Sequence, residues 1–295
     1  MSPDREPRET MLDVQGARLY LREIGSGTPL LILHGGADFN HAYLIPELDR
    51  MADGFRLVYY DQRGRGKSSP GVVAQDVSID SEVADLERVR ESIGADRIAV
   101  LAHSWGCVVA LEWATRHPGH VSRLILMNPP PASHQELQRL RARRREKEAA
   151  TLATMTDIAQ TPEWLAGDLQ AEELCNRAHF SAAVHDPKHL EPILRRLRAH
   201  FTPEDVVKAR AIEDRLHEQT WSQPDYDLVS RLRGLMAPAL VIHGSDDFIP
   251  IESAAEIAHA IPGAEFRVFE NCGHFAYLEQ PEMFRDAIEK FVVVG

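Results

Sequence analysis

The sequence predicts an α/β fold: a mostly parallel central sheet with helices on both faces and a helical cap inserted before the last two strands. Three observations predict it. Short β-rich runs carry continuous apolar stretches such as LLIL, LVYY and LVIH, the composition of strands buried on both faces. Segments with helical spacing fall between those runs, the order expected of parallel strands joined by helical crossovers. One long stretch between the fifth and sixth runs has helical spacing, repeated prolines and no convincing strand.

In chain order, strands are expected at 17–24, 30–34, 55–61, 97–103, 121–128, 238–244 and 265–270. The short GSGT turn joins the first two, so the sheet is expected to begin with an antiparallel pair. Helices are expected at 78–93, 105–117, 252–260 and 281–292. Residues 1–129 then form the first part of the core, 130–232 the cap and 233–295 the second part of the core. The cap opens with NPPPAS and is interrupted by Pro162, Pro187, Pro192, Pro203 and Pro224.

Composition narrows the function. The chain has 295 residues and a net charge of −12, so it lacks the basic excess that nucleic acids and anionic membranes attract. The first ten residues are polar, without the apolar core of a secretory signal. No uncharged apolar run is long enough to span a bilayer. Three scattered cysteines, Cys107, Cys175 and Cys272, make neither a disulfide framework nor a thiolate metal site, and a cytoplasmic setting is expected.

The chemistry concentrates around VLAHSWGC, residues 100–107. Ser104 stands where an apolar strand meets an apolar helix, with Ala102 and Gly106 two positions to either side. A sharp strand-to-helix turn needs small residues at those places, and it exposes the hydroxyl. Ala102 departs from the usual glycine by one methyl group. The helix starting at Trp105 aims backbone N–H groups and its positive end at the serine. A serine here can also serve merely as a helix N-cap.

Three further segments weigh against that bland alternative. His34-Gly35-Gly36 ends a strand with glycines that let a loop amide approach the serine. GSDDFIP, residues 244–250, puts Asp246 and Asp247 at the end of a late strand, where α/β sites lie. His274 follows a glycine just after the last strand. Serine, acid and histidine thus occur in the chain order of a hydrolase triad, each after a strand.

The segments LILHGG, LVYYDQRGRGKSS, LAHSWGCVVALEWATRHPGHVSRLILMNP, LVIHGSDDFIP and GHFAYLEQPE resemble the α/β-hydrolase superfamily. The DQRGRGKS and HSWG motifs, the HGG start and His41 are similar to its proline iminopeptidase-like branch. The resemblance covers roughly residues 12–130 and 236–293. It implies Ser104 as nucleophile, His274 as general base and Asp247 as the acid that orients it, with Asp246 the competing acid. It also implies oxyanion-hole amides at Trp105 and at Gly36, with Gly35 or Ala37 as neighbouring choices. No cofactor and no metal are implied. The branch usually reads HGGPG, and here Ala37-Asp38 replaces the proline and glycine, a departure that bears on the substrate rather than on the chemistry.

Other motifs have structural readings. GRGKSS echoes a phosphate-binding loop, but Asp61 occupies the position of its first glycine. Residues 61–66 read as a structural loop tied down by Asp61 and Arg63. His179, His185 and His189 lack a completing ligand set for metal. The run from Arg139 to Arg145 reads as a solvated helix face, and Cys107 and Cys272 as packing. The expected partner is a small molecule or short peptide. The leading reading is a proline iminopeptidase-like serine hydrolase, in which cap carboxylates among Glu172, Glu173, Glu191, Glu204, Asp205, Glu213 and Asp214 would receive a substrate ammonium. A carboxylesterase or lactonase of small apolar esters is the alternative enzyme. A C–C bond hydrolase is a third reading, and serine at 104 speaks against nucleophilic-aspartate chemistry. A non-hydrolytic small-molecule binding protein on the same fold is the alternative of another class.

Overall fold

Residues 6–293 are described in a computed structural model. Met1–Arg5, half of the polar N-terminal stretch, lie outside the described residues. The described chain forms one eight-stranded sheet in the order β1-β2-β4-β3-β5-β6-β7-β8. Its strands are β1 Arg8–Val14, β2 Ala17–Ile24, β3 Thr28–Leu33, β4 Phe55–Tyr60, β5 Ile98–His103, β6 Val121–Met127, β7 Ala239–Gly244 and β8 Glu265–Phe269. From β4 through β8 all neighbours run parallel.

The start of the sheet departs from expectation. The runs flanking GSGT, now β2 and β3, do not pair with each other. Instead β2 pairs antiparallel with β1 on one side and with β4 on the other. The missed strand, β1, is mostly exposed and polar, so no buried apolar run announced it. Gln15 and Gly16 form the tight turn between β1 and β2, with Gly16 at φ 75°.

Alternation explains why the inner strands read as unbroken apolar runs. Leu31, Leu33, Val100 and Ala102 face one side, packing with Val83 and Leu86 of α1 (Ile79–Ile93) and with Val108 of α2 (Trp105–Arg116). Leu30, Ile32, Ala99 and Leu101 face the other, in one cluster with Phe284 and Ile288. Successive strand residues point to opposite faces, so burial of both faces removes the polar alternation. Ser78 caps α1 in a reciprocal pair with Ser81, and Gly94 ends it at φ 76°.

Helices α3 His134–Lys147, α4 Ala149–Ala159, α5 Pro162–Leu165, α6 Leu169–Phe180, α7 Leu190–Leu197, α8 Pro203–Gln219 and α9 Val229–Leu232 lie between β6 and β7 in the chain. After β7 come α10 Ile251–Ala260, α11 Ala276–Glu279 and α12 Pro281–Val293. The basic run of α3 is not uniformly solvated. Arg144 turns inward, its side chain 14% exposed, over the ring of Phe248 and against Glu148. The register of α3 puts it one face away from Arg143 and Arg145, which are exposed.

The order of the sheet also locates a crevice. The chain leaving β3 moves to β4 on one side, whereas the chain leaving its other neighbour, β5, moves to β6 on the opposite side. Where strand order reverses, the loops after adjacent strands part and leave a groove at their carboxyl ends. The loops after β3 and β5 are those carrying Gly36 and Ser104.

Candidate active site

Ser104 lies between β5 and α2 at φ 51° and ψ −122°, a conformation rarely adopted by residues other than glycine. Its amide donates to the Met127 carbonyl of β6 at 3.0 Å, and its carbonyl accepts from the Cys107 amide at 2.8 Å. These bonds hold the turn in its constrained shape. A β-carbon on Gly106 would stand 2.6 Å from the His34 carbonyl oxygen, so glycine is required for α2 to approach β3. Ala102 faces no such obstacle and is fully buried within β5. Trp105 is the first residue of α2, so its amide has no acceptor one turn back.

His274 and Asp247 meet at the ends of the last two strands. His274 Nδ1 and Asp247 Oδ2 are 2.9 Å apart, and both side chains are almost wholly buried. The carboxylate can only accept, so Nδ1 carries a proton, and in the neutral ring Nε2 is the nitrogen with the lone pair. Asp247 also accepts from Asn128 Nδ2 at 2.8 Å and from the Ile249 amide at 3.0 Å. Burial disfavours its charge, but the proximity of His274 and His243 and these hydrogen bonds hold its carboxyl below the usual range. Asp246, the competing acid, is exposed and pairs with His185.

Asn128 was not singled out in the sequence. It stands at the end of β6 with φ 50°, and its side chain donates to the Gly273 carbonyl as well as to Asp247. An asparagine ending an apolar strand before three prolines was the available signal, since Asn tolerates the left-handed region.

The loop after β3 is equally constrained. Gly36 has φ 56°, and a β-carbon there would collide with the Phe39 ring at 2.0 Å. The Phe39 amide closes the turn onto the Gly36 carbonyl at 3.1 Å. The Gly35 amide donates to the Tyr43 hydroxyl at 2.6 Å, so of the three candidates Gly35 is already engaged, leaving Gly36 and Ala37. Tyr43 in turn meets His103 Nδ1 at 2.6 Å, and His103 Nε2 meets the His274 carbonyl at 2.9 Å. Because the carbonyl needs a donor, Nε2 of His103 bears the hydrogen and Nδ1 accepts from Tyr43. Burial first, then neighbouring His274, lowers the His103 pKa to about 3, which keeps the ring neutral.

Ser104, Trp105, Gly36, Ala37 and His274 line one cavity of about 740 Å³ under the cap. Leu137, Leu140, Leu152, Met155 and Phe180 give much of it an apolar wall. At another part of the wall stands a charged cluster. Arg198 pairs with Asp38 and, at 3.2 Å, with Glu172, which also meets Arg210 at 3.3 Å. Glu213 of α8, 35% exposed along its side chain, meets His217 at 3.8 Å and, among the described residues, no guanidinium within ion-pair distance. Burial, with Asp38 adding to it and Arg198 opposing, pushes Glu213 well above the ordinary carboxyl range. Burial likewise lowers His217 to about 4 and His179 to about 3, so the imidazoles on this wall are neutral.

The sequence model described as the alpha/beta hydrolase fold matches residues 28–281. The chain belongs to the α/β hydrolase fold family. Within it the chain is proline iminopeptidase-like: a proline iminopeptidase of Lactobacillus delbrueckii subsp. lactis is 30% identical over 93% of this chain and 94% of its own length. Among solved structures, a proline iminopeptidase of Mycobacterium smegmatis superimposes with TM-score 0.71 at 23% identity, covering 96% of this chain and 97% of the other. The esterase RhEst1 of Rhodococcus sp. ECU1013 does so with TM-score 0.70 at 20% identity, covering 97% and 98%. The protein is a hydrolase.

Other residues of this hydrolase fall outside the cavity chemistry. Asp61 accepts from the His41 and Lys67 amides and pairs with the His41 ring at 2.6 Å, while Arg63 pairs with Asp85. The GRGKSS loop is thus bound into the fold. His179 lines the cavity, His185 pairs with Asp246 and His189 lies in a separate short turn, so the three do not converge. Among the described residues, Glu87, His117 and His120 are the one cluster with metal-ligand proximity, and Glu87 is already held by Arg90 and Trp113. All three cysteines are free and buried. No described helix is long and apolar enough to cross a membrane.

Proposed function

We propose that this protein is a serine hydrolase of proline iminopeptidase type, releasing an N-terminal residue from a small substrate with a free α-ammonium group. The observation that carries the reading is the 2.9 Å contact between His274 Nδ1 and Asp247, on the wall of the cavity that Ser104 also lines. His274 Nε2 takes the Ser104 proton as Oγ attacks the scissile carbonyl, and Asp247 stabilises the imidazolium. The amides of Trp105 and Gly36 receive the oxyanion, where one donor is worth about 2.7–4 kcal/mol of barrier. His274 then protonates the leaving amine, and water, activated by the same ring, releases the acid from Ser104.

The ammonium site is assigned to Glu213. Asp38 and Glu172 already have guanidinium partners, whereas Glu213 faces the cavity with a neutral imidazole beside it. A cation arriving there would draw the carboxyl into its charged form and complete the pairing. The similarity to proteins named proline iminopeptidase supports the iminopeptidase reading on which this assignment rests.

A second reading, a carboxylesterase or lactonase, is favoured by the extent of the apolar wall, which exceeds what a prolyl group fills. Paired substrates separate the two. Unblocked prolyl-arylamide is expected to be cleaved at least about 100-fold faster than its N-acetyl form, since a cavity-facing carboxyl left without its cation discriminates strongly against the blocked substrate. Equal rates, with fast turnover of short acyl esters, would favour the esterase.

A further inference from the structure

We infer that Arg198, on the cap just after α7, is a positioning residue for the oxyanion loop and acts through Asp38. The inference rests on the reading of Ser104 and Gly36 given above. The loop from Gly35 to Asn40 turns through a glycine at φ 56° and is closed by one internal backbone bond, Phe39 to Gly36. It lacks the proline that the resembled HGGPG motif would supply, so φ at Ala37 is not locked by a ring. Something else must hold the amides still, because an oxyanion donor works only when fixed in advance.

The cap supplies that hold. Arg198 Nη1 donates to the Asp38 carbonyl and Nη2 to the Asp38 carboxylate, so one guanidinium grips backbone and side chain of the same residue. Its plane covers Phe39, with the guanidinium carbon 4.9 Å from the ring centre. The next residue continues the contact: Asn40 Nδ2 donates to the Ala199 carbonyl at 2.8 Å. Two adjacent cap residues therefore bind three consecutive residues of the loop. The Arg198 side chain is 9% exposed, both terminal nitrogens are engaged by Asp38 and Glu172, and Nε has no partner among the described residues. The aspartate that departs from the resembled motif is the residue this guanidinium needs.

The test uses p-nitrophenyl acetate, a neutral ester with no ammonium, so changes of charge near Glu213 do not enter its KM. Wild type, Arg198→Met, Asp38→Ala and the double variant are compared, with Ser104→Ala as control. The inference predicts that Arg198→Met lowers kcat about 100-fold, the size of a small misplacement at a reacting centre, with KM nearly unchanged. Asp38→Ala falls in the same direction, and the double variant falls no further than Arg198→Met. Should Arg198→Met fold poorly, Asp38→Asn, which keeps the backbone bond, is expected to show a smaller loss of kcat at constant KM. An unchanged kcat overturns the inference. So does a double variant that regains wild-type kcat, because Arg198 would then only neutralise Asp38. Multiplying losses, or a loss confined to KM, overturn it too. If Ser104→Ala retains activity, the hydrolase reading itself falls and takes the inference with it. An inactive Ser104→Ala beside a fully active Arg198→Met sinks the inference alone.

Discussion

Asp246 and Asp247 are neighbours with opposite surroundings, and the difference separates the preferred acid from its competitor. Asp247 is buried and accepts from His274, Asn128 and the Ile249 amide, whereas Asp246 sits in solvent beside His185. Asp247→Asn keeps the shape but presents the wrong partner to Nδ1, and kcat should fall about 10⁴-fold, as for other triad acids. Asp246→Asn should leave kcat within about twofold, since exposed ion pairs contribute little. Steady-state kinetics of the two variants checks this, and the reverse ranking would reassign the acid. Sequence could narrow the acid to two adjacent positions because both follow β7. It could not see that the chain turns Asp247 inward, or that Asn128 would reach it from β6. Those facts depend on contacts 27 and 119 residues apart in the chain.

Elements that bury both faces were legible, because their apolar runs are local. β5, α2 and the elbow between them follow from IAVLAHSWGC, where Gly106 has a steric reason. β1 was missed because an exposed edge strand needs no apolar signal. The loop after β4 reads as structural through Asp61 and Arg63, yet Arg65 is fully buried in it, bonded through both terminal nitrogens to Glu82 of α1. Their side chains are 0% and 1% exposed. Glu82→Ala leaves that guanidinium buried and unpaired, and should cost about 3–5 kcal/mol of stability. Arg65→Met/Glu82→Leu, which removes both charges and refills the space, should cost less than the single change. Urea unfolding midpoints of the two variants decide this, and a greater loss in the double variant would contradict it.

Taken together, the sheet and cap divide the work. The strand ends bring Ser104, His274 and the loop of Gly36 to one crevice, with Asp247 buried behind His274, since reversal of strand order opens it there. The helices between β6 and β7 close a charged and apolar cavity over that crevice. The sheet's share was readable because motif and strand coincide in the sequence. The cap's share was not: of the seven acids named only Glu172 and Glu213 line the cavity, and the pairing of Glu172 with Arg198 and Arg210 sets Glu213 apart. The most direct measurement is covalent capture of the nucleophile. Wild-type protein is treated with a fluorophosphonate, the adduct is mapped by peptide mass spectrometry, and ester hydrolysis is followed in parallel for wild type and Ser104→Ala. One adduct on Ser104 with loss of activity, and a fall in kcat of about 10⁶-fold in Ser104→Ala, is the predicted result. An adduct on another residue, or turnover in Ser104→Ala near that of wild type, would contradict it.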